Sequence, residues 1–165
     1  MKKIKKILAA NRSEIAIRIF RASEESGIRT VAIYSKEDRF ALHRFKTDES
    51  YLVGKDKGPI QAYLDIESII NIAKMAGVDA VHPGYGFLSE NYEFAKILEE
   101  NKIKFIGPSS KLIKMMGDKI EAKRIAKEYG LPVIEGSESG VADLKQGKEI
   151  SKKIGFPVLI KAAGG

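Results

Sequence analysis

Two rhythms of apolar residues run along this chain. Short, mostly apolar runs, interrupted by single polar residues such as Asp79 and Lys104 or by the pair Lys5-Lys6, occupy positions 4–10, 29–34, 50–53, 78–81 and 103–106. Runs of that length, rich in Ile and Val, are predicted as strands buried on both faces. Between them lie stretches in which apolar residues return every three or four positions. Ile15, Ile19 and Ala22 share one face of a predicted helix over 13–26 that ends at Gly27. Ile66, Ile69, Ile70 and Ala73 do the same over 66–76, with Asp65 as cap and Gly77 as terminator. A third helical pattern covers 92–100, and 55–64, containing Gly58 and Pro59, reads as a loop. Strands and helices alternating through short connections predict an α/β fold with an open parallel sheet and right-handed crossovers.

After Gly107-Pro108 the rhythm changes. A short helix over 111–116, a break at Gly117-Asp118 and a second helix over 119–129 lead to Gly130. A strand over 131–135, a helix over 143–154 and a strand over 157–161 are then expected. Two strands and one crossing helix are too few to bury a core, so the sequence is expected to be a piece of a longer chain, cut inside its second domain. No internal repeat of fixed period is present.

Composition removes several classes. Hydrophobic residues make up 44% and charged residues 31%, as in globular proteins. No apolar run approaches the ~18 residues of a membrane span, and the run after the basic amino terminus is too short for a secretion signal. Absence of cysteine excludes disulfides and thiolate chemistry and suits a reducing, cytoplasmic compartment. The net charge of +7 is spread over helices whose lysines neighbour acids, as in Glu121-Ala122-Lys123-Arg124. Without a basic stripe interleaved with aromatics, this argues for solvated faces and anionic substrates instead of nucleic acid.

The chemistry-bearing stretch is His82-Pro-Gly-Tyr-Gly-Phe-Leu-Ser-Glu-Asn91, a loop expected between a strand and a helix. Loops at the carboxyl ends of such strands form the ligand crevice. Pro83 keeps His82 extended, while Gly84 and Gly86 let the chain turn sharply on both sides of Tyr85. Ser89 is expected to cap the following helix, with Glu90 in its first turn. The competing account is an ordinary loop whose Tyr85 and Phe87 complete the core. His82, before a proline at a strand end, is read as structural. Lys161, followed by Ala162-Ala163-Gly164-Gly165, has the form of a phosphate-cradling loop: glycines admit phosphate to the backbone amides and lysine supplies charge. Arg18, Arg21 and Glu25 share a polar helix face, which solvation alone would also explain. A dinucleotide site would need glycines between the first strand and helix, where the chain reads Ala9-Ala10-Asn11-Arg12-Ser13-Glu14. Asn11 and Arg12 likewise oppose the acidic cluster of a receiver domain.

Five strings together carry a resemblance: Ala-Asn-Arg-Ser-Glu-Ile-Ala at 10–16, the loop at 82–91, Phe-Ile-Gly-Pro at 105–108, Met-Gly-Asp-Lys at 116–119 and Pro-Val-Leu-Ile-Lys-Ala-Ala-Gly-Gly at 157–165. In this order and spacing the chain closely resembles the biotin carboxylase component of biotin-dependent carboxylases. The stretches 37–40 and 56–64 resemble the pyruvate-carboxylating branch more than the acetyl-CoA branch. The resemblance implies a Rossmann-like domain over 1–108, a helical linker over 109–130 and an incomplete ATP-grasp subdomain over 131–165. It also implies ATP, magnesium or manganese, bicarbonate, biotin on a carrier domain, and a homodimer. By position, Lys119, Lys161, Gly164 and Gly165 would contact ATP. Tyr85, Gly86 and Glu90 would line the biotin pocket, and Arg18, Arg21 and Glu25 the dimer contact. The family's metal-binding carboxylates and bicarbonate-binding arginine match no position here. No metal ligand is therefore assigned, and these residues alone are expected to lack bicarbonate-dependent ATPase activity. Other readings are another acyl-CoA carboxylase, another ATP-grasp ligase and a non-catalytic dimerisation module.

Overall fold

The computed structural model describes residues 3–134, 136–137 and 140–161. It divides into two compact units, Met1–Lys111 and Leu112–Gly165.

The first unit is built on β1 (Lys6–Ala9), α1 (Ser13–Glu25), β2 (Arg29–Tyr34), a 3-10 turn (Glu37–Phe40), α2 (Leu42–Phe45), β3 (Glu49–Leu52), α3 (Pro59–Tyr63), α4 (Ile66–Met75), β4 (Ala80–His82), α5 (Tyr92–Glu100) and β5 (Lys104–Phe105). The sheet is parallel with order β3-β2-β1-β4-β5. Its strands run one to three residues shorter than, or offset from, the apolar runs, except β2, which matches. The loop expected over 55–64 contains α3, opened by Pro59 at the first helical position, where a missing N–H is harmless.

Small residues explain how α1 reaches the sheet. Ala9 and Ala32 on the strands face Ala16 and Phe20 on the helix, with Ile19 beside them. Right-handed crossovers put α1 on one face and α4 and α5 on the other. There Ile69, Ile70, Ala73, Phe94, Ala95 and Leu98 are buried, and Phe94 meets Phe105 edge to face. Asp65 caps α4 by accepting from the Ser68 backbone N–H. The sequence order reverses between β1 and β4, so the loops after these two neighbours flank the point where α/β sheets place their ligands.

The second unit is helical. It takes in most of α6 (Ser110–Gly117), together with α7 (Lys119–Glu128) and α8 (Leu144–Ile154). Asp118 caps α7 through the Ile120 and Glu121 N–H groups, and Asp143 caps α8 through that of Gln146. Neither 131–134 nor 157–161 forms a strand, contrary to the apolar pattern. Among the described residues these apolar runs find no ladder partner, and a strand exists only through pairing.

Candidate functional site

The loop after β4 is held from beneath by the loop after β1. Asn11, buried at 1% exposure, donates both amide hydrogens, one to the Pro83 carbonyl (2.8 Å) and one to that of Tyr85 (2.9 Å). Its Oδ1 accepts from the Arg12 N–H at 2.9 Å, so one amide orientation satisfies all three bonds. Gly84 lies at φ 69°, and a Cβ there would come within 2.6 Å of Asn11 Nδ2 and 2.7 Å of Ile15 Cγ2. Glycine at this position thus answers both to a left-handed backbone and to close approach. His82 Nδ1 accepts from the Gly84 N–H at 3.0 Å, which requires that nitrogen to be unprotonated. Burial also lowers the His82 pKa below its ordinary value.

Held at this backbone, Tyr85 is 82% exposed. That disposes of the account in which it completes the core. Phe87, in contrast, is half-buried and stacks on Tyr63 with ring centroids 5.2 Å apart. Its φ of 41° is unusual for an aromatic residue. Leu88 is buried, and Ser89 N–H closes the turn on the Gly86 carbonyl. The helix cap is Asn91, accepting from Phe94 N–H, and not Ser89. Glu90 therefore precedes the helix instead of entering its first turn, and it is exposed with Gly86 and Tyr85. The turn over 87–90 uses the Ser89 backbone, leaving the next asparagine to meet the first free N–H groups.

A polar network supports Phe87 from behind. Tyr63 Oη donates to Asp38 Oδ2 at 2.8 Å and accepts from Ser35 N–H at 3.2 Å. Arg12 grips the same carboxylate through Nε and Nη2, both at 2.6 Å. Hydrogen bonding to Arg12 holds the Asp38 pKa down, and to Asp38 holds that of Arg12 up. Burial, then the bond to Asp38, raises the Tyr63 pKa, so its phenol stays protonated. Asn11, Asp38, Tyr63 and Phe87 were not assigned to a site by sequence reasoning. The local signal that could have led there is Asn11-Arg12 at the end of the first strand, where the ligand crevice of such a sheet is expected.

The remaining predicted residues fall into separate places. Arg18, Arg21 and Glu25 are exposed on α1 and, with Ser13, Ala41 and Leu42, line an open groove of about 760 Å³. Arg18 also pairs with Glu14 at 3.2 Å. Lys119 is the exposed first residue of α7, and Lys161 is exposed at the end of the described chain. Gly164 and Gly165 lie outside the described residues. Among those described, no three His, Asp or Glu side chains come together as metal ligands, and no helix is long and apolar enough to cross a membrane.

The family model for the biotin carboxylase N-terminal domain matches residues 3–113. The chain belongs to this family. A second model, the ATP binding domain of the carbamoyl-phosphate synthase L chain, matches residues 118–165. Among relatives, pyruvate carboxylase of Staphylococcus aureus is 56% identical over 100% of the chain, which spans 14% of that enzyme's length. Among solved structures, the biotin carboxylase domain dimer of Hydrogenobacter thermophilus 2-oxoglutarate carboxylase, in complex with MgADP, ADP and bicarbonate, superposes with a TM-score of 0.95. It is 46% identical and covers 100% of this chain and 36% of that one. The biotin carboxylase of Campylobacter jejuni, in a β-γ-ATP complex, gives a TM-score of 0.94 at 44% identity, covering 99% and 36% respectively.

Proposed function

We propose that this chain supplies the amino-terminal part of an ATP-dependent biotin carboxylase, within an enzyme of pyruvate carboxylase type. The reaction joins bicarbonate to carrier-bound biotin with cleavage of ATP to ADP and phosphate. The observation that carries this reading is the tyrosine held outward at the sheet's switch point, within a chain matching pyruvate carboxylase at 56% identity from end to end.

In this reading Tyr85, Gly86 and Glu90 form one wall of the biotin pocket. Tyr85 offers an exposed ring face and hydroxyl, and Gly86 leaves open space beside it, since a Cβ there would meet nothing within 4 Å. Lys119 and Lys161 are exposed ammonium groups of the type that balances phosphate charge. Gly164 and Gly165 would continue that contact through backbone amides. Magnesium or manganese would screen the phosphate oxygens when bound; none of the described residues forms a cluster to hold it. The partners are a biotin carrier domain and a second copy meeting Arg18, Arg21 and Glu25, in the cytoplasm.

The test is ADP release by the full-length protein that carries this chain, measured with and without bicarbonate and free biotin. Acceleration by biotin is expected, followed by transfer of labelled carboxyl to pyruvate. ADP release indifferent to both bicarbonate and biotin would refute the assignment. The likeness to 2-oxoglutarate carboxylase sustains a second reading of the acceptor alone: label arriving on 2-oxoglutarate and not on pyruvate would select it.

A further inference from the structure

Resting on the biotin reading of the Tyr85 loop, we infer that Asn11 is a positioning residue for biotin: it sets the affinity of the pocket without touching the ligand. The side chain of Asn11 is buried, and its donors are spent on the two carbonyls that bracket Gly84. Those carbonyls fix the peptide plane that enters Gly84 and the one that leaves Tyr85. The left-handed φ of Gly84 and the contact its Cβ would make with Asn11 show that loop and amide are fitted to each other.

On the far side of Tyr85, the loop is held a second time. Phe87 keeps a backbone conformation that bulky residues avoid, stacked on a Tyr63 ring anchored by Asp38. Strained backbone persists where surrounding structure over-determines it. Tyr85 therefore stands between two fixed points, its carbonyl bound to Asn11 and its ring unbound to either. A side chain so exposed would sample many rotamers and backbone states on a free loop; clamping its backbone reduces the ordering needed when a ligand stacks against it. Only an amide meets the requirement at position 11. A carboxylate would set an oxygen against two carbonyl oxygens, and alanine would leave both carbonyls without their donor.

The test uses the full-length enzyme, with free biotin as probe and amide hydrogen exchange as a second readout. Loss of one buried and one partly buried hydrogen bond predicts that Asn11→Ala raises the KM for biotin about tenfold, with kcat changed by less than about threefold. Exchange at residues 84–88 should quicken while Ile69–Ala73 of α4 stays protected. Gly84→Ala, which keeps Asn11 in the sequence but drives a methyl against its amide and into a left-handed backbone, should reproduce both effects and serves if Asn11→Ala does not fold. Two results would overturn the inference. One is an unchanged biotin KM in both variants although Tyr85→Ala raises it, which leaves the pocket assignment intact. The other is an equal loss in kcat and in affinity for ATP and biotin alike, with exchange quickened throughout the sheet, which marks a general structural role. A wild-type enzyme indifferent to biotin removes the pocket assignment itself, and the inference with it.

Discussion

In the unit Met1–Lys111, α1, α4 and α5 each turn buried residues toward a sheet, whereas α7 and α8 of the unit Leu112–Gly165 bury none. Both sets are amphipathic, and four of the five are closed at the amino end by an Asp or Asn side chain. What separates them is a partner. Helices satisfy their own backbone, so α7 and α8 need only local signals. Strands do not, and the apolar runs at 131–134 and 157–161 remain without a ladder while five comparable runs in the first unit pair in parallel. Ile134 and Ile160 are each 91% exposed, in contrast to Ile33 at 0%.

The largest expected effect breaks the first unit at its core. Phe20 is 1% exposed and packs against Ala9, Ala16 and Ala32. Phe20→Ala should cost about 3–5 kcal/mol, read from urea denaturation. Ile160→Ala, which also truncates an apolar side chain but at a solvated position, should stay within about 0.5 kcal/mol. Equal effects would dissolve the distinction between the units.

Next in size is the polar support under the Tyr85 loop. Asp38→Asn leaves Arg12 without its carboxylate and Tyr63 with a weaker acceptor. With Arg12 partly in solvent, the expected loss is about 1–3 kcal/mol. The pH dependence carries a definite sign. Asp38 has its pKa held below the unfolded value, so its contribution is complete above about pH 4 and is lost as pH falls further. His43 gives a separate step. It is fully buried, its Nε2 donates to the Ile33 carbonyl and its Nδ1 has no partner. Burial lowers its pKa against the opposing pull of the bond to Ile33 and of the Asp38 charge. The neutral ring is thus favoured, and stability should begin to fall as pH drops below about 6.5. His43→Gln should lessen that slope in the first unit, followed by thermal denaturation between pH 7 and pH 5. An unaltered slope would assign it to His82, whose pKa burial also lowers.

These features mark where sequence is informative and where it is not. Period and punctuation locate β2 to the residue, and Asp65 announces the helix it caps, whereas Asp118, read as a break, proves to be the cap of α7. Tyr85 and its flanking glycines are legible as a presented loop because glycine's freedom is a local property. The clamp beneath is not local. Asn11 is 72 residues from Pro83, and Arg12 is 26 from Asp38. Nothing in either segment specifies the pairing until β1 and β4 lie side by side. Ser89 failed as a cap for a related reason: it and Asn91 are equally suited chemically, and the turn that packs Leu88 decides between them. The unpaired runs in the second unit show the same limit, since strand propensity describes a surface that has yet to meet a neighbour.

A smaller effect sharpens the contrast from the side of the second unit. Asp143 accepts from Gln146 N–H at 2.8 Å to start α8, whose residues are never buried. Asp143→Ala should remove about 1 kcal/mol from that helix and quicken amide exchange over residues 144–154. Asn91→Ala removes the same kind of bond from α5, yet Phe94, Ala95 and Leu98 anchor that helix to the core. Its exchange should change only in the first turn. A whole-helix response in α5 would show that packing does not hold it.

The smallest expected effect concerns α1, where surface and core act on one helix. Glu14 and Arg18 pair at 3.2 Å one turn apart, both largely in solvent. Glu14→Gln should lower stability by about 0.3–0.5 kcal/mol at low salt and by less in high salt, because exposed pairs are screened. Ala16 and Phe20 hold the same helix against the sheet with no charge at all. If Glu14→Gln instead produced a loss of the size of Phe20→Ala, insensitive to salt, the polar face of α1 would be a packed surface. Light scattering would then be expected to show this variant altering association of the chain, as the proposed role of Arg18, Arg21 and Glu25 in a dimer requires.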